Sequence, residues 1–240
     1  MSISITNDSA EQTDYMKSSN IQKIAGISIP VLNIGALEIP HGKFGCSILC
    51  LGSTRSGKTT LLNYLFNKHF KDYISVLMSN SLNSDAYDFI KKQVVTSDHY
   101  HTQVLKDMYH INHESKNHYP FMVIIDDVPD KRGDPELKRL MSIYRNSRIS
   151  CFVCIQGATM IDKTARGNIN FILLGRMNSS EEVERNIKSY LMGHFPSTLK
   201  MADKIRLYRE LTSNHQWIVL DQITNTIFLT KLTESQLIGC

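Results

Sequence analysis

The segment Gly52-Ser53-Thr54-Arg55-Ser56-Gly57-Lys58-Thr59 follows an apolar run, CSILCL at 46–51, and precedes a stretch that sets Leu61, Leu62, Leu65 and Phe66 on one helical face. It fits G-x-x-x-x-G-K-[ST] at every fixed position, in the strand-before, helix-after setting that gives this pattern its meaning. Glycines let the backbone curl so that successive N–H groups converge on phosphate oxygens, and the helix N-terminus adds its partial positive charge. Lys58 is placed to reach the β- and γ-phosphates of a nucleotide, and the Thr59 hydroxyl to ligate Mg²⁺. Gly52 to Thr60 is therefore the expected nucleotide-binding segment; the alternative is a chance glycine-rich turn. No N-K-x-D guanine-reading sequence follows the acidic strand described below, because Asn67-Lys68 falls too early and lacks the Asp. ATP with Mg²⁺ is the expected pair.

The rest of the chain repeats the same alternation. Short, nearly continuous apolar runs occur at 46–52, 73–79, 121–126, 149–156 and 169–175, as expected of strands buried on both faces. Helical patterns lie between them. Lys58 to about Phe70 is one. Residues 134–146 are another, with Asp134 as N-cap and Pro135 at the first helical position. Ser179 and Glu182 form a candidate capping box for a helix to about Leu191, and a further helix is expected at roughly 198–211. The tail QWIVLDQITNTIFLTKL reads as a β-hairpin. The expected fold is α/β: a three-layer P-loop NTPase with a mostly parallel central sheet and a C-terminal β-hairpin. Along the chain this divides into an arm at 1–20, an edge-strand segment at 21–45, a core at 46–212, and the hairpin and tail at 213–240. The run IAGISIPVLNIGALEIP at 24–40 supplies the short edge strands.

The run Phe121–Ile125 ends in Asp126-Asp127. A buried strand that delivers a carboxylate to its C-terminal end holds Mg²⁺ beside the nucleotide, a role that falls to Asp126. Asp127 is then placed to orient or deprotonate the attacking water. Its alternative is to cap a turn at Val128-Pro129-Asp130. The strand ISCFVCI ends in Gln156. If it runs between the phosphate-loop strand and the Asp126 strand, the Gln156 amide emerges beside the γ-phosphate; otherwise Gln156 is a strand-end polar residue.

Taken in order, GSTRSGKT, FMVIIDD, YRNSRISCFVCIQ and TARGNINFILLGR resemble the motifs of FtsK–HerA superfamily ATPases, especially the poxvirus-type DNA-packaging ATPases of large DNA viruses and virophages. The resemblance runs from about Cys46 to Arg176. It implies a motor that hydrolyses ATP to translocate double-stranded DNA without regard to sequence, assembled as a hexameric or pentameric ring. It also implies a capsid or portal-vertex partner, and residence in the virion or in a virus factory of the host cytoplasm. In that family the Gln strand lies between the two motif strands. Many relatives carry Asp-Glu where this chain has Asp126-Asp127, and the viral branch often has Asp-Asp. Ring ATPases of this kind complete their sites with a neighbour's arginine; Arg145 and Arg166 match basic positions of the family motifs, with Arg148 and Arg176 as further candidates. An ATP-gated switch, or a DNA-transfer motor of the same superfamily with no packaging role, are the competing functions.

Charge and cysteine usage set bounds on these readings. Lys and Arg number 27 against 23 Asp and Glu, a net charge of +4. Residues 131–148 carry six basic and two acidic side chains, either a DNA- or subunit-facing surface, with Lys131 and Arg132 foremost, or a solvated helix face. No apolar run approaches the ~18–20 residues of a membrane span, and the N-terminus lacks the apolar core of a signal peptide. Five cysteines suit a reduced intracellular protein. Cys151 and Cys154 stand three apart on a strand and so point to opposite faces, which favours core packing over a shared metal. The histidines at 99–118 read as a polar surface insertion.

Overall fold

The computed structural model describes residues 20–24, 27–37, 39, 44–127 and 133–232. Ten strands form one sheet: β1 (Asn20–Ile24), β2 (Ile27–Val31), β3 (Ser47–Leu51), β4 (Ile74–Ser79), β5 (Val95–Ser97), β6 (Phe121–Asp126), β7 (Ile149–Ile155), β8 (Phe171–Leu174), β9 (Gln216–Asp221) and β10 (Thr226–Lys231). Their order is β1-β2-β10-β9-β8-β3-β7-β6-β4-β5. From β8 through β3, β7, β6 and β4 to β5 every pairing is parallel, as is β2 with β10; the pairs β1–β2, β9–β10 and β8–β9 are antiparallel. The mostly parallel sheet is as expected. The Gln156 strand, β7, lies between the phosphate-loop strand β3 and the Asp126 strand β6.

Strand alternation splits the core into two layers. Leu49 and Leu51 of β3, with Cys151, Val153 and Ile155 of β7, face one side. There they meet α3 (Thr102–Glu114), α4 (Pro135–Ser142), α6 (Ser180–Asn186) and α7 (Met201–Leu211). Ile48, Cys50, Phe152 and Cys154 face the other side, against α1 (Lys58–Leu65) and α2 (Asp88–Lys91). The strands are buried on both faces because both faces are covered, which is why they read as unbroken apolar runs. Cys151 and Cys154 therefore sit in different layers, 1% and 3% exposed.

Several elements differ from the sequence expectation in detail. The helix from Lys58 turns into a π-turn over Phe66–Phe70. The α4 helix begins as expected, with Asp134 Oδ1 accepting from the N–H of Glu136 (2.8 Å) and Leu137 (3.0 Å) and Pro135 at the first position. It stops at Ser142, and a 3₁₀ turn over Tyr144–Ser147 follows. The capping box at Ser179 does not close. The Ser179 hydroxyl accepts from the N–H of Glu181 (3.2 Å), while the Glu182 carboxylate turns to Arg185 (2.5 Å).

The histidine-bearing segment is also more than a surface insertion. It forms α3, which buries Leu105 and Met108 in the core. Its Asn112 is fully buried and donates to the carbonyls of Tyr119 (2.9 Å) and Ser147. The C-terminal hairpin is β9–β10, and β9 continues the main sheet by pairing with β8. The edge strands expected within 24–40 are the β1–β2 hairpin, which begins earlier, at Asn20. No helix among the described residues is long and apolar enough to cross a membrane. Of the arm expected at 1–20, residues 1–19 lie outside the described residues, as does the tail from 233, while Asn20 opens β1.

Candidate functional site

β3 ends at Leu51, and the chain then loops over 52–57 into α1. Two residues take left-handed backbone angles to make the turn, Arg55 (φ 62°) and Gly57 (φ 94°). Gly57 is the N-cap and has no side chain to satisfy the first N–H groups of α1, so these remain available to an anion. A Cβ on Gly52 would run into the Ser56 Oγ. That buried hydroxyl has no hydrogen-bond partner among the described residues. Lys58 folds over the loop, its Nζ donating to the carbonyls of Gly52 (2.7 Å) and Ser53 (3.0 Å), which leaves one ammonium proton for a ligand. Ser53 anchors the loop to the next strand: its N–H donates to the Arg176 carbonyl (2.9 Å) and its Oγ accepts from the Asn178 N–H (2.9 Å).

Across from the loop, Asp126 closes β6 at 3% exposure. Its Oδ2 accepts from Thr59 Oγ1 (3.3 Å) and from the Tyr87 hydroxyl (2.8 Å). The two expected Mg²⁺ ligands thus meet. A hydroxyl and a carboxylate beside a phosphate cradle suit a hard cation that is otherwise held by substrate phosphates and water. The next residue, Asp127, is exposed, lies at φ 49°, and accepts a hydrogen bond from the Ser81 hydroxyl. The turn it was alternatively expected to cap, 128–130, lies outside the described residues. Gln156 follows β7 at the rim. Arg55, Lys58, Thr59, Asp126, Asp127 and Gln156 line one cleft of about 370 Å³, within the ~300–1,000 Å³ usual for small-molecule sites. Thr54, Gly57 and Thr60 complete its loop side.

Tyr87, Ser79 and Ser81 carry no motif that singles them out in the sequence. Burial, then the Asp126 charge, pushes the Tyr87 hydroxyl well above its ordinary pKa, so it stays protonated and donates to Asp126. The only sequence sign is the serine alternation at the end of β4, which does not say what those serines face.

The arginine candidates lie elsewhere. The Arg145 guanidinium donates to the Asn168 carbonyl (3.3 Å), and its own carbonyl accepts from the Gly45 N–H (2.7 Å) below β7. Arg148 donates to the His118 carbonyl (2.6 Å). Arg166 ends α5 (Lys163–Arg166), donates to Ser189 Oγ (3.0 Å) and sits 6.0 Å from the Tyr190 ring centre. The length of β7 at ~3.3 Å per residue separates Arg145 and Arg148 from the cleft of their own chain. In the basic stretch, Lys138 pairs with Asp162 on the surface (3.6 Å), while Arg139 pairs with the buried Glu136 (3.1 Å), so only part of the stretch is a solvated face. Lys131 and Arg132 lie outside the described residues.

Comparison with solved structures finds the same fold in viral packaging enzymes. The DNA-packaging ATPase B204 of Sulfolobus Turreted Icosahedral Virus superposes with a TM-score of 0.58 at 14% identity, over 80% of this chain and 100% of that one. The genome packaging NTPase B204 of Sulfolobus turreted icosahedral virus 2, in complex with sulfate, gives 0.59 at 15% identity, over 79% and 97%. The pCW3 conjugation coupling protein TcpA gives 0.54 at 12% identity, over 94% and 70%. At such identities the likeness is one of fold. Among curated proteins no sequence matches the chain significantly. The family model described as Poxvirus A32 protein matches residues 42–237 and bears out the resemblance read from the motifs. The chain belongs to the Poxvirus A32 protein family.

Proposed function

We propose that this protein is a Mg²⁺-dependent ATPase that translocates double-stranded DNA and packages a viral genome into its capsid. The observation that carries the chemistry is the Thr59–Asp126 hydrogen bond at 3.3 Å, set directly against the phosphate loop. Loop N–H groups and Lys58 bind the triphosphate and hold charge on its oxygens. Thr59 and Asp126 would hold Mg²⁺, which neutralises charge on the transferred phosphoryl group when bound. Asp127 orients the attacking water and takes its proton. Gln156, on the strand between the two motif strands, hydrogen-bonds phosphate or water and signals the state of the γ-phosphate.

Packaging is supported by the Poxvirus A32 family match and by the fold shared with proteins described as DNA-packaging or genome packaging enzymes. In this reading 46–212 is the catalytic unit and 21–45 and 213–240 are its appendages, whose strands β1, β2, β9 and β10 extend the sheet. A ring of five or six copies completes each site with Arg145 or Arg166 of a neighbour. The ring works on DNA without sequence preference, against a capsid or portal-vertex partner, in the virion or virus factory. The fold shared with a conjugation coupling protein favours, as the second reading, a DNA-transfer motor without a packaging role.

Two variants test the chemistry. Lys58→Ala should lose both ATP binding and hydrolysis. Asp127→Asn should keep ATP binding and slow turnover by about 10²-fold, the size of a lost general base. Wild-type turnover in Asp127→Asn would overturn the assignment.

A further inference from the structure

The acidic pair is served by hydroxyls of a neighbouring strand. β4 pairs with β6 in a register that sets Ser79 opposite Asp126, so the chain leaving β4 runs alongside the chain leaving β6. Two residues on, Ser81 Oγ donates to Asp127 Oδ2. The Ser81 N–H donates to Ser79 Oγ (3.1 Å), and the fully buried Ser79 hydroxyl donates to the Tyr87 oxygen (3.2 Å). Tyr87 in turn donates to Asp126 Oδ2 (2.8 Å). The directions are forced, because ionised carboxylates only accept and each hydroxyl has one proton to give. Both carboxylates of the pair are thus terminal acceptors of hydroxyls from one short segment, 79–87.

Asp127 needs such a hold. It is exposed and sits in the left-handed region, which Asp tolerates but which does not select one side-chain rotamer. A free surface carboxylate samples several rotamers, whereas a water-orienting group must stay in one, and a misplacement near 1 Å can cost ~10²-fold in rate. We propose that Ser81 is a positioning residue for ATP hydrolysis. It fixes the Asp127 carboxylate through its hydroxyl, and the Ser79–Tyr87 relay ties that position to Asp126. This rests on the reading of Asp127 as the water-orienting group.

The test is steady-state ATP hydrolysis with Mg²⁺ by the full chain, together with binding of a non-hydrolysable ATP analogue. The variants are Ser81→Ala, Ser81→Thr, Asp127→Asn and the Ser81→Ala/Asp127→Asn double substitution. Ser81→Ala should lower kcat by about 10-fold or more while KM and analogue affinity stay within about two-fold, because the interaction acts on the chemical step and not on binding. Ser81→Thr, which keeps the hydroxyl, should recover most of the rate. In the Asp127→Asn background the alanine change should add less than about two-fold, the non-additivity of groups acting as a unit. Should Ser81→Ala fail to fold, Ser81→Cys keeps the packing with only a weak donor and should show the same loss. Wild-type kcat in Ser81→Ala, a rise in KM in place of the fall in kcat, or full additivity with Asp127→Asn would overturn the proposal. Wild-type turnover in Asp127→Asn would instead remove the reading it rests on, so the two failures are told apart.

Discussion

At the scale of single residues, the phosphate loop is readable because its geometry admits few residue types, and the spacing from Gly52 to Thr59 states them all. Tyr87 and Ser81 are not readable, since a strand neighbour brings them to Asp126 and Asp127, and no spacing along the chain reveals which strands pair. A glycine outside the motif matters for the same reason. Gly175 lies at the end of β8, where an added Cβ would come within 2.6 Å of Trp217 Cη2, and Trp217 is 2% exposed. The same ring packs under Gly52, 3.4 Å from where its Cβ would be, so Trp217 supports the phosphate loop from below. Gly175→Ala should therefore destabilise the fold by about 1–3 kcal/mol through overpacking. A urea titration checks this, and an unchanged midpoint would mean that the tryptophan shifts freely.

At the scale of elements, the strands are legible because burial on both faces leaves no polar positions to blur them. Helix ends are less so. The pattern Leu137, Leu140, Met141, Tyr144 suggests one helix to 146, yet Tyr144 reaches the core from a 3₁₀ turn, so apolar spacing outlasts the α-helix. The α3 helix is hidden by its histidines, because Leu105 and Met108 leave only a narrow apolar stripe. Strand alternation does resolve the cysteines. Burial raises the thiols of Cys46 and Cys154 well above the ordinary range and pushes Cys151 up to about 12. Little thiolate then exists at neutral pH, and each of the three residues is at most 3% exposed, although Cys154 also lines the cleft. Cys46, Cys50, Cys151 and Cys154 should resist a thiol-modifying reagent at about pH 7.5 until denaturant is added. Mass spectrometry locates the adducts, and rapid native modification of Cys151 would contradict its placement inside the sheet.

At the scale of the whole molecule, the order of strands turns a list of motifs into a site. With β7 between β3 and β6, the phosphate loop, Gln156 and Asp126 leave the sheet at the same edge and meet over one cleft. Arg145 and Arg148 sit by the opposite ends of these strands, too far away to serve their own chain, which suits a finger offered to a neighbour in a ring. Motif order and resemblance make the three-layer architecture and the cleft legible. The N-terminal hairpin joining the sheet beyond β10 is not, because Leu229 and Val31 form its single register pair and lie far apart in the chain. In the function proposed above, hydrolysis in this cleft moves DNA. Its most direct test is the rate of Mg²⁺-dependent ATP hydrolysis by the wild-type chain with and without long double-stranded DNA. A several-fold or greater stimulation is expected, independent of DNA sequence, weakened by salt and absent in Lys58→Ala. Hydrolysis that proceeds at one rate whether or not DNA is present would contradict it.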